Sequence, residues 1–83
     1  MTRVAKLHAS ILANPRSPIP FREFERLLVA FGFALDRISG SHRIYGHPRV
    51  DRMLNIQPRG KEAKPYQLVQ FLDIVEEFGL EIE

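Results

Sequence analysis

The change of hydrophobic period between Gly32 and Pro65 constrains the fold of this chain more than any other feature. On either side of that span, apolar residues recur at helical spacing. Phe24, Leu27, Leu28 and Phe31 form an i, i+3, i+4, i+7 stripe, with Pro20 near its first turn and Gly32 at its end. Leu68, Phe71, Leu72, Val75 and Phe78 repeat the pattern between Pro65 and Gly79. An earlier stripe, Val4, Leu7 and Ile11, follows Thr2 as a candidate N-cap and stops at Asn14-Pro15. Inside the span, residues 33–39, 42–45 and 52–57 predict three short strands. Ser39-Gly40-Ser41 and the stretch from Gly46 to Asp51 separate them, and connections this short imply an antiparallel meander.

The expected order is therefore α-α-β-β-β-α, an α+β fold. Helices lay their stripes on one face of a three-stranded antiparallel sheet and leave the other face for water or a ligand. At 83 residues the chain suffices for one domain and is too short for two cores. Residues 1–20 form an N-terminal extension with an extra helix, and residues 21–80 form the core. Pro58-Arg59-Gly60 is expected to stop the third strand, Lys61 to Lys64 to form a polar crossover loop, and Asn14 to Pro20, with three prolines, to be a semi-rigid link and the most mobile internal segment.

Several function classes drop out. The chain has no cysteine, which excludes disulfides and thiolate chemistry. No apolar run approaches the roughly 20 residues of a membrane span, and no signal-peptide pattern is present, so the expected location is the cytoplasm. No Gly-rich phosphate loop and no His/Asp/Glu spacing suited to a metal occurs. Tyr45 stands nearly alone among the strand residues, so the aromatic pairs of an RNA-stacking sheet are missing. Charge is unevenly spread. Residues 1–32 carry five Lys/Arg against two acids, residues 33–64 seven against three, and residues 65–83 none against five. A basic middle beside an acidic tail suits a polyanionic ligand.

Within that basic middle, Ser39-Gly40-Ser41-His42-Arg43-Ile44-Tyr45 reads as a tight turn delivering a histidine to the start of a strand. Histidine both takes and gives protons near neutral pH. Beside fixed positive charge it suits cleavage of a phosphodiester. Alternation places His42 and Ile44 on one face and Arg43 and Tyr45 on the other, without saying which is covered; if Tyr45 faces the helices, His42 lies open. The competing account makes His42 a turn residue that hydrogen-bonds the hairpin backbone.

His47 falls on the opposite face, roughly 16 Å away along an ideal strand, which argues against a two-histidine pair. His8 is expected in solvent. Arg37, Arg43, Arg59, Lys61 and Lys64 are candidate phosphate ligands, since guanidinium groups bind phosphate oxygens bidentately. Asn55 and Gln57 share one face of the third strand, a polar row suited to a ligand or to water.

The ordered set of Leu27-Leu28, Phe31-Gly32-Phe33, Gly40-Ser41-His42-Arg43-Ile44-Tyr45, Asn55-Ile56-Gln57-Pro58 and Gly60-Lys61-Glu62-Ala63-Lys64-Pro65 resembles the HicA-type mRNA-interferase toxins of bacterial toxin–antitoxin systems. The resemblance runs from Phe21 to Gly79 and implies a double-stranded-RNA-binding-domain-like fold. It also implies a small ribonuclease that cleaves mRNA without metal or other cofactor, monomeric when free and blocked by a HicB-type antitoxin. His42 takes the place of the family's catalytic histidine, with Arg37, Ser41, Arg43, Arg59, Lys61 and Lys64 as substrate-binding candidates. Many shorter members carry a histidine after the third strand, where this chain has Gln57-Pro58-Arg59. A non-catalytic duplex-RNA-binding module and a protein-interaction unit are the competing functions.

Overall fold

Thr2 opens the first helix, α1 (Arg3–Ala13), by accepting a hydrogen bond on its side-chain oxygen from the backbone N–H of Ala5 at 3.1 Å. The computed structural model describes residues 2–83. Pro20 precedes α2 (Phe21–Ala30), and Pro65 begins α3 (Pro65–Phe78), which Gly79 caps. α2 buries the whole stripe its spacing predicts, whereas α1 buries Ile11 fully and α3 buries Leu68 and Phe71. Ile11, Phe24, Leu27, Leu28, Phe31, Leu68 and Phe71 are almost wholly removed from water. Phe71 sits at the centre, with Phe24 and Phe31 meeting it edge to face at 5.8 and 5.3 Å between ring centroids. On α3 the buried stripe also takes in Gln67 and Ile74, while Leu72, Val75 and Phe78 are only partly covered.

Three strands, β1 (Ala34–Ser39), β2 (His42–Gly46) and β3 (Leu54–Ile56), pair antiparallel in that order. The turn between β1 and β2 is Gly40-Ser41, closing the pair Ser39–His42. Gly40 has φ +61°, the left-handed value that the first position of a type II′ turn requires. A register shift between Leu35 and Arg37 leaves Asp36 as a bulge. Tyr45, Leu54 and Ile56 are buried beneath the helices, so the helices cover one face of β2 and β3. They do not reach β1, whose six residues are all exposed.

Three expectations need correction. Residues 52, 53 and 57 lie outside the third strand, which runs only from Leu54 to Ile56, and Phe33 lies outside the first. The stretch after that strand is no plain loop: β4 (Pro58–Arg59) and β5 (Glu62–Ala63) form a second antiparallel pair around Gly60-Lys61, with Gly60 again at φ +61°. The proline-rich link is tied to this hairpin. Ala63 N–H donates to Ile19 O at 2.9 Å, and Phe21 N–H donates to Lys61 O at 2.8 Å. With Ile11 and Ile19 both in the main buried cluster, the first 20 residues contribute directly to the core.

Candidate active site on the open sheet face

Because Tyr45 is turned under the helices, strand alternation turns His42 away from them. Cross-strand pairing then defines the open face. Arg37 lies opposite Ile44, which lies opposite Asn55, so Arg37, His42, Ile44 and Asn55 project to one side, and Gln57, the residue after β3, bonds to Ser41 in the turn before His42. His42 is exposed, and its Nδ1 lies 3.0 Å from Asn55 Oδ1. A carbonyl oxygen only accepts, so Nδ1 carries the proton and donates. In the neutral ring this leaves the Nε2 lone pair free. The polar row expected on the third strand thus includes the residue that orients the imidazole.

The neighbouring polar groups form one chain of hydrogen bonds. Gln57 Nε2 donates to Ser41 Oγ at 2.9 Å, and Lys64 Nζ donates to Gln57 Oε1 at 3.2 Å. The Gln57 backbone N–H donates to Oε1 of buried Gln67 at 3.0 Å, and Gln67 Nε2 donates to Tyr66 Oη at 3.2 Å. The turn that presents His42 is thereby braced against the start of α3. Sequence spacing held a signal for Gln67, since Gln67, Phe71 and Ile74 fall at i, i+4 and i+7 on the buried stripe.

The basic candidates divide. Lys64 joins this chain, and Arg37 shares the face of His42. Arg59 and Lys61 are exposed on the β4–β5 hairpin, and neither makes a polar side-chain contact to the His42 network among the described residues. Arg43 does not face a ligand bound over His42. It alternates to the helix side, where its Nε lies 3.5 Å from Glu25 Oε2. Tyr45 Oη donates to the same carboxylate oxygen at 2.8 Å, and burial, followed by that bond and the negative charge of Glu25, raises the phenol well above its ordinary value. Arg3, Arg26 and Arg52 are paired with acids, whereas Arg37, Arg59, Lys61 and Lys64 have no ion-pair partner among the described residues.

The other histidines have different surroundings. His47 is buried, with Nε2–H donating to Phe31 O at 3.0 Å, Nδ1 accepting from Arg49 N–H at 3.0 Å, and its ring 5.0 Å from that of Phe33. His8, expected in solvent, instead packs edge-on against Phe31 at 4.9 Å with its Nε2 buried and unpartnered. Desolvation lowers its pKa from the ordinary 6.5. The reason was present in the sequence: Val4, Leu7, His8 and Ile11 make a full i, i+3, i+4, i+7 stripe. Among the described residues, no group of three or more His, Asp or Glu is placed to hold a metal ion.

The family model for the HicA toxin of bacterial toxin–antitoxin systems matches residues 21–78. That span covers more than two-thirds of the chain and runs from the first residue of α2 to the last of α3. The chain belongs to the HicA toxin family, which makes it the toxin partner of a toxin–antitoxin pair. No curated protein and no solved structure matches it. No helix among the described residues is long and apolar enough to cross a membrane.

Proposed function

We propose that this toxin is a metal-independent endoribonuclease that cleaves mRNA in the cytoplasm with His42 as its catalytic residue. The observation that carries the proposal is the exposed imidazole whose Nδ1 is held by Asn55, leaving Nε2 for a substrate. RNA supplies its own nucleophile. His42 Nε2 takes the proton of a 2′-hydroxyl, and the resulting oxyanion attacks the adjacent phosphorus. The bond from phosphorus to the 5′-oxygen breaks, that oxygen takes a proton from water, the hydroxide so formed takes the proton held by His42, and the products end in a 2′,3′-cyclic phosphate and a 5′-hydroxyl. Proton transfer of this kind contributes typically about 10²–10⁴-fold. Arg37 and Lys64 offset the negative charge that builds on the phosphoryl oxygens, Ser41 positions the strand, and Arg59 and Lys61 hold flanking phosphates.

The free toxin acts as a monomer, and a HicB-type antitoxin blocks it by covering the His42 face. The test is single-turnover cleavage of a labelled mRNA fragment in excess chelator, with a 2′-deoxy nucleotide placed at the mapped cut site in a second substrate. The proposal expects cleavage of the first, none at the substituted position of the second, and growth arrest on induction relieved by the antitoxin. RNA that is retained but never cut would overturn it in favour of a binding module.

A further inference from the structure

Beyond the His42–Asn55 pair, the start of α3 combines unpaired positive charge with exposed aromatic area. Pro15, Arg16, Arg59, Pro65, Tyr66 and Val69 line a groove of about 530 Å³. Tyr66 is 57% exposed and Val69 40% exposed, one turn apart on α3. Leu12 and Val29 are as exposed as these two; what sets Tyr66 and Val69 apart is the charge beside them. Arg16 and Arg59 flank them, and neither is paired with an acid among the described residues. An aromatic face bordered by free guanidinium groups matches a nucleotide, whose base stacks and whose phosphate takes bidentate hydrogen bonds.

Hydrogen bonds also link the groove to the turn that carries His42. Tyr66 Oη accepts from Gln67, Gln67 holds the backbone of Gln57, and Gln57 holds Ser41, the neighbour of His42. Arg16 lies before the residues that match the family model, in a turn formed where Arg16 N–H donates to Asn14 Oδ1 and Ser17 N–H to Asn14 O. The docked N-terminal segment therefore completes a groove that residues 21–78 alone would leave without one of its two arginines.

We propose that this groove is an accessory subsite for single-stranded RNA, in which one unpaired base stacks on Tyr66 against Val69 while Arg16 and Arg59 hold the adjoining phosphate. The inference rests on the reading of the His42 face as an RNA site and extends it to a nucleotide beyond the cleaved bond. It gives the N-terminal segment a role in substrate grip as well as in the core.

The experiment measures binding of a labelled single-stranded RNA oligonucleotide by fluorescence anisotropy, using the full chain with His42→Ala to prevent cleavage. In that background Tyr66→Ala weakens binding about fivefold or more, the loss of one stacked base. Tyr66→Phe keeps the stacking face and binds like its parent. Arg16→Gln weakens binding and reduces the slope of log affinity against log salt by about 0.7. Cooperative urea unfolding shows that all three variants are folded; the two Tyr66 variants lose a similar, small amount of stability, because both remove the acceptor of buried Gln67, and Arg16→Gln loses none. Parental affinity in both Tyr66→Ala and Arg16→Gln overturns the subsite. So does a loss confined to antitoxin binding with RNA affinity intact. A protein that grips RNA through this groove yet cuts none sustains the subsite while sinking the ribonuclease reading, so the two failures are distinguishable.

Discussion

His42 opens β2 and His47 follows its last residue, and the two ends of this one strand treat the same side chain in opposite ways. At the hairpin end, the ring is exposed and a side-chain amide holds one nitrogen. At the other end, the ring is buried, the main chain engages both nitrogens, and Phe33 packs on it. A histidine whose two nitrogens are both satisfied by backbone is a structural group with nothing left to offer a substrate. A histidine with one nitrogen fixed and the other free is oriented for proton transfer. Residue type does not separate these cases. The face of the strand does, and Tyr45 decides it by filling the space under the helices.

That contrast can be broken or sharpened by substitution. The largest effect on stability belongs to His47→Ala, which leaves Phe31 O and Arg49 N–H unpaired beside a void. A loss of about 2–4 kcal/mol in urea unfolding is expected, with RNA cleavage per folded molecule unchanged. If cleavage falls instead with stability intact, the two ends of β2 have been assigned the wrong way round. Next comes Asn55→Ala, which frees the ring of His42. A hydrogen bond worth about 1.4 kcal/mol in the transition state corresponds to roughly tenfold in cleavage rate. Asn55→Asp keeps an acceptor beside Nδ1 and recovers most of that rate, whereas a purely steric role for Asn55 would leave the two variants alike.

Tyr45→Phe probes the covered face and removes only the bond to Glu25. Its expected cost is about 1 kcal/mol of stability, with no change in cleavage. The smallest effect concerns His8. Its folded pKa lies below 6.5, so the unfolded chain binds the proton more readily than the folded one. The stability this group supports is complete above pH 6.5 and is lost as pH falls toward and through the folded value. Thermal melts across that range should show an acid-side decline that shrinks in His8→Leu. An undiminished decline would assign the acid sensitivity to other groups.

How much of this was legible beforehand follows from how local each signal is. The helical stripes and the Gly40-Ser41 turn are written in neighbouring residues, so α2, α3 and the β1–β2 hairpin could be placed from the sequence. The β4–β5 pair could not, because two-residue strands show no alternation and their pairing is reinforced by Ile19 and Phe21, some 40 residues earlier. The exposure of β1 was equally hidden, since Leu35 and Ile38 look like strand core but no helix reaches them. At the site, alternation put His42 opposite Tyr45 in orientation and put Asn55 and Gln57 on one face. It could not say that Asn55 meets His42, because that contact depends on the register of β2 against β3 across the intervening loop. Arg43 shows the same limit from the other side: its place in a basic run suggested a phosphate ligand, while its parity assigned it to Glu25.

The central claim is that His42 serves the reaction and does nothing for the fold. Cleavage rate and melting temperature measured on one preparation of His42→Ala test it most directly. The account predicts a fall of at least about 10²-fold in RNA cleavage with an unaltered melting temperature. Cleavage at the wild-type rate, or activity lost only in step with unfolding, would contradict it.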